Sequence, residues 1–416
     1  MSWTTTRLKY ICMDAGQYGL NVSAQDYSSS GFRLIRTSDI DVNGRLRSRD
    51  GAVYVDASLE KRHKVKDGDL LLSRSGTLGR ALLLTDVEEP STYAGYLVRF
   101  RPRPSTEPRF MAYMAASRGF QAAIEADAVT STIQNFNAER YANITIMLPP
   151  LDEQRRIANF LDAETAFMDT QAQLRSRQRV ALDELSLSVI DDAFKAVAES
   201  PQVRLGYVAL VQSGVTVDGG RERGDDVVTL PYLRVANVQA GYVMLDNISE
   251  ISVPRRTAAA SQLRPGDVLM TEGGDLDKLG RGTVWHGEIE NCLHQNHVFA
   301  VRPNIQALAP EYLALLTRTP MARKYFESTG NKTTNLASTS SGKIRDFRVP
   351  LADLNMQRSI VRKVDVRLRS ISQVEEQISV QAKLLAERRQ ALITAAVTGQ
   401  FDVTTTSRAS APGGIA

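Results

Sequence analysis

The sequence has 416 residues, of which 43% are hydrophobic and 24% are charged, with a formal net charge of +4. This composition is typical of a globular chain of several structural units, and the small positive charge permits a nucleic-acid partner without requiring one. Cys12 and Cys292 are the only cysteines and belong to no metal-ligand spacing, and no run of 18 apolar residues occurs. The sequence therefore indicates neither a disulfide framework nor a membrane span, and we expect a cytoplasmic protein.

The first half of the chain predicts a β-rich domain that leads into a long helix. The runs FRLIR, from Phe32, and DLLLS, from Asp69, lie between Gly, Asp and Pro turn signals and predict strands. A helix is predicted in RFMAYMAASRGFQAAIE, from Arg109. The extended segment IMLPP follows, and its prolines precede a long helix over roughly residues 152–197.

The second half repeats this order, with strands in LPYLRV, DVLMT and HVFAVRP, a helix in EYLALLTRTPMARKYFE, the segment FRVP and a long helix over roughly residues 352–398. Matching segments recur 197 to 203 residues apart: RLKY with RLGY, IRTSDI with LRVANV, GDLLLSRSG with GDVLMTEGG, LGR with LGR, QNF with TNL, and DEQRRIANFLD with NMQRSIVRKVD. A longer glycine-rich loop in the second copy, residues 273–282, explains part of the drift. Six matches in one order predict an internal duplication.

Both long helices carry apolar residues at a spacing of seven, which is typical of helices that pair with one another. We expect the helix-pairing residues to be Phe160, Phe167, Leu174 and Ala181 in the first helix and Val364, Ile371, Ile378, Leu385 and Leu392 in the second. Two similar halves prefer a two-fold relation, in which these helices run antiparallel. A helix of this length spans about 65 to 70 Å and could set the separation of the two domains. The alternative is that each helix completes its own domain's core or forms a dimer seam.

The expected fold class is therefore α+β: two β-rich domains, each followed by a long α-helix, with the helices paired as an antiparallel coiled coil and the halves related by a pseudo-two-fold. We predict a first domain over residues 1–150, a central helical spacer over 151–199, a second domain over 200–350, a C-terminal helical spacer over 351–403 and a disordered tail over 404–416.

This arrangement resembles the specificity subunits of type I restriction-modification systems over nearly the whole chain, residues 7–403. The motifs that carry the resemblance are LPPLDEQRRIANFLD, VPLADLNMQRSIVRKVD and the terminal LITAAVTGQFDV. The second boundary departs from the pattern, because Leu354, Asn355 and Met356 stand where the first copy has Asp152 and Glu153. The exact start of the second long helix is therefore not predicted.

The resemblance implies a non-catalytic subunit whose two target-recognition domains read a bipartite, asymmetric site in double-stranded DNA. Its expected partners are two methyltransferase subunits, which would bind S-adenosylmethionine and flip the target adenine, and motor-nuclease restriction subunits. No cofactor is expected in this chain. The alternative is a stand-alone DNA-binding or coiled-coil scaffold protein without a methyltransferase partner; a stand-alone enzyme and a transcription regulator are further rivals.

The candidate DNA-binding residues are polar and cationic side chains on predicted loops, because base edges and phosphates are read by such groups. In the first copy they are Arg36, Ser38, Ser73, Arg74, Ser75, Thr77, Arg80, Thr132, Gln134, Asn135 and Asn137. In the second copy they are Arg234, Asn237, Glu272, Lys278, Arg281, Asn331, Lys332, Thr333, Thr334 and Asn335. Matched positions differ, as Arg74 and Glu272 do, which two unlike half-sites would require. The alternative for each residue is a solvated turn.

A zinc site is the weaker interpretation of His286, Cys292, His294 and His297, because the first copy has no matching ligands there. For His297 a hydrogen-bonded role or a base contact is expected instead, and no metal site is predicted.

Overall fold

A computed structural model describes residues 3–56, 63–128, 135–216, 226–274, 279–332 and 337–403. The chain divides into two compact units, one made of Met1–Arg175 with Ser379–Ala416 and the other of Ser176–Ile378. Within these described ranges, no helix is both long and apolar enough to cross a bilayer. The tail predicted to be disordered, residues 404–416, lies outside them.

The first unit is built on two four-stranded sheets and a two-stranded one. Its strands are β1 (Thr4–Arg7), β2 (Gln17–Tyr18), β3 (Tyr27–Ser28), β4 (Phe32–Ile35), β5 (Val53–Val55), β6 (Leu70–Ser73), β7 (Ala81–Leu83), β8 (Ser91–Tyr93), β9 (Leu97–Phe100) and β10 (Thr145–Leu148). The sheet orders are β2-β9-β6-β7, β3-β5-β4-β8 and β1-β10. Its helices are α1 (Pro108–Ala116), α2 (Arg118–Ala128), α3 (Ala138–Asn143) and the start of α4 (Leu151–Lys195).

The second unit repeats most of this topology. Its strands are β11 (Gln202–Arg204), β12 (Ala209–Ser213), β13 (Val227–Leu233), β14 (Ser249–Pro254), β15 (Val268–Thr271), β16 (Gly273–Gly274), β17 (Gly282–Val284), β18 (Leu293–His294), β19 (Val298–Pro303), β20 (Asn331–Lys332), β21 (Ala337–Ser338) and β22 (Arg348–Pro350). Its helices are α5 (Arg255–Ser261), α6 (Pro310–Leu316), α7 (Pro320–Thr329), α8 (Ser341–Asp346) and the start of α9 (Leu354–Val397).

Sheet β12-β19-β15-β17 corresponds to β2-β9-β6-β7, and β11-β22 corresponds to β1-β10. The second unit has a three-stranded sheet β14-β13-β18 in place of a four-stranded one and a further sheet β16-β21-β20. The pairs β4-β8 and β13-β18 are both parallel, whereas their neighbouring strands pair antiparallel. The duplication predicted from the sequence is thus confirmed at the level of strand order and direction.

The single helix predicted before the end of each domain is wrong, because each copy has two. In the first unit α1 and α2 are separated by Ser117, whose hydroxyl bonds to the carbonyl oxygen of Met114 at 2.6 Å and accepts from the Phe120 amide at 3.4 Å. In the second unit Pro320 opens α7 and cannot donate to the preceding turn, and Thr319 caps the new helix.

The two long helices pack antiparallel within each unit. In the first unit Ile157 and Leu161, near the start of α4, share a core with Ile393 and Ala396, near the end of α9. In the second unit the end of α4 shares a core with the start of α9, through residues such as Ile190 and Val364. The same cores contain strand and helix residues of the β-rich domains, so the helices both pair with one another and complete each unit.

The predicted pairing residues of α9 lie on its less exposed face: Val364, Ile371 and Ile378 are buried, and Leu385 and Leu392 are half-buried. In α4 the predicted stripe is wrong beyond Phe160, which is half-buried against Phe401. Phe167 is 62% exposed and Leu174 is 43% exposed, and Ala181 is also exposed.

The buried stripe of α4 instead follows Leu161, Met168, Leu182 and Val189, with half-buried Arg175 between them. It lies one residue further along the chain than the predicted stripe. Two apolar stripes of the same period occur side by side on this helix, and only packing distinguishes them.

The glutamine of each boundary motif has a structural role. Gln154, buried in α4, donates to the Pro149 carbonyl at 2.8 Å and accepts from the Glu107 amide, just before α1, at 2.9 Å. Gln357 does the same in the second unit, with the Ala352 and Ala307 carbonyls and the Ala309 amide before α6. The start of α9 is capped by Asp353, whose carboxylate accepts from the Asn355 and Met356 amides.

Candidate nucleic-acid interface

The repeated Gly-Asp motif anchors the strand that leads into each candidate loop. Asp69 is buried, and its two oxygens accept from Nε and Nη2 of Arg101, each at 2.7 Å. Asp267 accepts from Arg302 in the same bidentate geometry and at the same distances. The preceding Gly68 and Gly266 have φ values of 85° and 90°, which favour glycine. The motif is therefore a framework element common to both units.

In the first unit, the loop after β6 places Arg74 among aromatic and amide groups. The Arg74 guanidinium lies 4.6 Å from the ring centroid of Tyr18, and its Nε donates to Asn135 Oδ1 at 3.1 Å. The Arg74 amide donates to the carbonyl of Tyr96, whose side chain is 67% exposed. Arg74 and Asn135, predicted separately from the sequence, are thus brought together, with Ser75 bridging to Asn135 along the backbone.

Other predicted residues of this loop hold its shape. Ser73 is fully buried; its hydroxyl donates to the Thr77 carbonyl and accepts from the Arg80 amide, so the prediction that it contacts DNA is wrong. Arg80 donates to the Ile40 carbonyl at 2.9 Å and is half-buried. Thr77 is exposed, and its hydroxyl lies 3.5 Å from Arg80 Nη2.

The turn after β4 uses Arg36 internally. Its backbone amide and guanidinium both donate to the buried carboxylate of Asp39, with Nη2 to Oδ1 at 2.8 Å, and this hydrogen bonding raises the pKa of Arg36. Nη2 also donates to the Gly51 carbonyl at 2.9 Å. Ser38 is exposed beside this ion pair. Arg36 is therefore committed to the turn, while Ser38 is available to a ligand.

The matching turn of the second unit is built differently. Asn237 is buried, accepts from the Arg234 amide at 2.8 Å and donates to the carbonyls of Met244 and Asn247. The prediction that Asn237 contacts DNA is therefore wrong, since its side chain is saturated. Because Asn237 replaces the carboxylate of Asp39, the exposed Arg234 guanidinium has no partner among the residues that the structure describes.

In the second unit, Glu272 occupies the position of Arg74. Its amide donates to the carbonyl of His297 at 2.9 Å, as the Arg74 amide does to Tyr96. The Glu272 carboxylate lies 2.6 Å from Nδ1 of His297, whose side chain is 54% exposed. His297, expected from the sequence to be hydrogen-bonded, is a partner of the predicted residue Glu272.

The register of the last candidate segment differs from the sequence match. Asn137 caps α3 by accepting from the Arg140 amide, and Ser340 caps α8 in the same way, so the shift here is 203 residues. Asn135 therefore corresponds to Ser338 in β21, and its predicted match with Asn335 is wrong. Asn137 has a capping role, which explains why a polar residue is required there.

The remaining predicted residues divide into two groups. Asn331 lies in β20, and its Oδ1 accepts from Lys343 Nζ at 3.2 Å. Arg281 immediately precedes β17, and its carbonyl accepts from the Thr271 amide. The others fall outside the described residues or have side chains outside them: Thr132, Gln134, Lys278, Lys332, Thr333, Thr334 and Asn335. Their contact with DNA stays a prediction.

Sequence reasoning missed Tyr18 and Tyr96, which flank Arg74. Neither tyrosine is repeated as a tyrosine in the second copy, so comparison of the two halves gave no signal for them. Exposed aromatic side chains beside a cation are a useful signal for nucleic-acid contact, because bases stack on them.

His294 is buried in the second unit, where its Nδ1 lies 2.6 Å from the Val298 carbonyl and burial lowers its pKa. Across the described portions of the chain, no group of three or more His, Cys, Asp or Glu side chains could hold a metal ion.

Comparison with known proteins gives one consistent result. The family described as the type I restriction modification DNA specificity domain matches residues 21–177. The type I restriction enzyme EcoKI specificity subunit of Escherichia coli strain K12 is 23% identical over 96% of this chain and 88% of its own length. The EcoBI specificity subunit of Escherichia coli is 21% identical over 96% of this chain and 86% of its own.

A solved structure from work on the complex assembly and conformational transition of a type I R-M system superposes with a TM-score of 0.67. It is 20% identical and covers 96% of this chain and 98% of its own. This likeness shows a shared fold over 96% of the chain.

Proposed function

We propose that the chain is a specificity subunit of a type I restriction-modification system and that it recognises a DNA sequence made of two different half-sites separated by a gap. The observation that carries this proposal is a repeated framework with unlike outer residues. The Asp-Arg ion pair, the boundary glutamine and the parallel strand pair recur in both units. Arg74 and Glu272 occupy matched positions with opposite charge, as two unlike half-sites require.

The subunit itself is proposed to be non-catalytic. Two methyltransferase subunits would supply S-adenosylmethionine and the methyl-transfer site, and restriction subunits would complete the nuclease. The proposed target also implies a cytoplasmic location. Phe167 and Leu174 form an exposed apolar stripe on α4, next to the buried one, which suits the docking of a partner helix. The internal duplication favours two equivalent docking sites, hence two methyltransferase subunits.

The function is tested by expressing the chain together with the methyltransferase encoded beside it. The purified complex should methylate plasmid DNA at one split, asymmetric sequence, read by sequencing that detects methylated adenine. The methyltransferase without this chain is the control and should not methylate that sequence. Binding of the complex to DNA should weaken steeply with salt. Methylation by this chain alone, or a complex that binds no DNA, would contradict the proposal.

We further propose that the paired helices set the gap between the half-sites. Seven residues inserted after Arg175 in α4 and seven after Ile378 in α9 keep the heptad register of both helices. They lengthen the helix pair by about 10 Å, which corresponds to about three base pairs. The methylated sequence should keep both half-sites and gain that spacing. Altered half-sites at a constant gap would contradict this role of the helices.

A further inference from the structure

Arg74 and Glu272 occupy the same place in the two units. The residues beside them, Tyr96 and His297, also occupy matched positions. Arg74 lies beside Tyr96, and Glu272 lies beside His297; in each unit the same amide-to-carbonyl hydrogen bond joins the pair at 2.9 Å. The backbones agree while the side chains invert in charge. The backbone geometry at this position is therefore the same in both units, but the side chain is a hydrogen-bond donor in the first and an acceptor in the second.

The first unit presents donors at this position. The ring of Tyr18 and the oxygen of Asn135 hold the Arg74 guanidinium, and only Nε is used in doing so. Nη1 and Nη2 have no hydrogen-bond partner in the described part of the chain. An arginine held in this way can donate two parallel hydrogen bonds to one acceptor pair. In the major groove of DNA, guanine offers such a pair in O6 and N7.

The second unit presents acceptors. A carboxylate only accepts, so Nδ1 of His297 carries the proton in its contact with Glu272 Oε2. When the ring is neutral, its other nitrogen, Nε2, is then an acceptor as well. Glu272 Oε1 has no partner among the described residues. With a neutral ring, this surface therefore offers a carboxylate oxygen and a ring nitrogen that both accept hydrogen bonds.

A carboxylate at a DNA interface is repelled by the phosphates, so Glu272 suits a base edge better than the backbone. The donors that the major groove offers are the exocyclic amino groups of cytosine and adenine. We propose that Arg74 and Glu272 are the matched base-reading residues of the two units, Arg74 reading a guanine and Glu272 with His297 reading an amino-bearing base. This inference rests on the proposed function, since it assumes that these loops face DNA.

In this assignment Tyr18, Asn135 and His297 are positioning residues. Tyr18 and Asn135 fix the plane of the Arg74 guanidinium, and His297 fixes one oxygen of Glu272. Changing them should weaken discrimination at the same base as changing the residue that they hold. Asn135→Ala should therefore affect the guanine of the first half-site only, and His297→Ala the amino-bearing base of the second only.

The test uses the complex of the full chain with its methyltransferase, as wild type and with Glu272→Gln. Glutamine keeps the size of the side chain and can still accept from His297 through its oxygen, which turns its NH2 group outward as a donor. Discrimination at one base pair of one half-site should fall about tenfold or more, with the other half-site unchanged. The identity of that base pair in the sites methylated by the wild-type complex shows whether Glu272 reads cytosine or adenine.

Arg74→Lys tests the first unit in the same way. Lysine keeps the positive charge for a phosphate but loses the bidentate fork, so discrimination at a guanine should fall while total affinity and its salt dependence stay close to wild type. Matched controls are Glu250→Gln on β14 and Arg118→Lys on α2, which are exposed and are not part of either loop. These controls should leave both half-sites unchanged.

Each variant is also read by sequencing the duplexes that its complex binds from a randomised pool, so that a complex that no longer methylates still reports its preference. Unchanged half-sites with Glu272→Gln and Arg74→Lys would overturn this inference and leave the proposed function standing. A wild-type complex with no sequence preference would overturn both. Equal loss of binding to every duplex would assign Arg74 to a phosphate and overturn its part of the proposal.

Discussion

The two recognition units show which features of this fold are constant and which are free to change. Both bury an aspartate against an arginine guanidinium, and both hydrogen-bond a buried glutamine to the segment before a short helix, α1 in one unit and α6 in the other. At the outer loops Arg74 is replaced by Glu272, and the carboxylate that holds Arg36 is replaced by an amide that leaves Arg234 unpaired within the described residues. The constant groups are buried and mutually satisfied, so a change in one leaves its partner with an unmet hydrogen bond. The outer groups are under no such constraint.

The largest effect is expected from the shared ion pair. Asp69→Asn and Asp267→Asn each leave a half-buried arginine without its counter-charge, and breaking a buried pair on one side costs about 3 to 5 kcal/mol. The free energy of unfolding, measured by urea titration, should fall by similar amounts in the two variants. Glu88→Gln is the control, because its pair with Arg49 is exposed and contributes little. A large fall in the free energy of unfolding for only one of the two variants would show that the two ion pairs are not equivalent.

A comparable loss is expected from the buried stripe of α4, and none from the stripe beside it. Leu161→Ala should lower the free energy of unfolding by about 2 to 5 kcal/mol, because it opens a cavity in the core of the first unit. Phe167→Ala should change it by less than about 0.5 kcal/mol. The same Phe167→Ala variant should, however, weaken copurification of the methyltransferase. If Phe167→Ala is as destabilising as Leu161→Ala, the assignment of the two stripes is wrong.

A smaller effect is expected from the boundary glutamines. Gln154→Ala and Gln357→Ala each remove a side chain that satisfies a buried amide and a buried carbonyl, at a cost of about 1 to 3 kcal/mol. Gln173→Ala, on an exposed part of α4, is the matched control. Hydrogen exchange should show loss of amide protection at the start of α1 in Gln154→Ala and at the start of α6 in Gln357→Ala. Loss spread evenly over both units would contradict a local role.

The smallest effect depends on pH and should appear in the second unit only. Burial lowers the pKa of His294, whereas the first unit has Tyr93 at the matched position. In the unfolded chain His294 takes up a proton below about pH 6.5, while in the folded chain it stays neutral to lower pH. Stability is therefore present above that pH and is lost on acidification, by at most about 1.4 kcal/mol per pH unit.

Hydrogen exchange corrected for intrinsic rates should show faster opening of the second unit at pH 5.5 than at pH 7.5. His294→Phe should remove this extra loss, and the first unit should be the internal control. An equal response of both units would show that a group other than His294 is responsible.

The sequence by itself determined the duplication, a strand at each of five predicted segments, the extent of the long helices and the buried stripe of α9. These follow from local patterns: turn residues, apolar spacing and a repeated motif each act within a few residues of the chain. Arg74 and Asn135 were both predicted from the sequence as DNA-binding residues. The hydrogen bond between them was not predicted.

Only the tertiary structure decided which of two adjacent stripes on α4 is buried, since both have the same period and only the position of neighbouring segments distinguishes them. It also placed Ser73 and Asn237 inside the fold, where backbone groups three to ten residues away along the chain satisfy their side chains. A polar residue in a loop can serve the loop or a ligand with the same chemistry. Which of the two it serves depends on whether its partners in space are already present in the chain, and that is a property of packing.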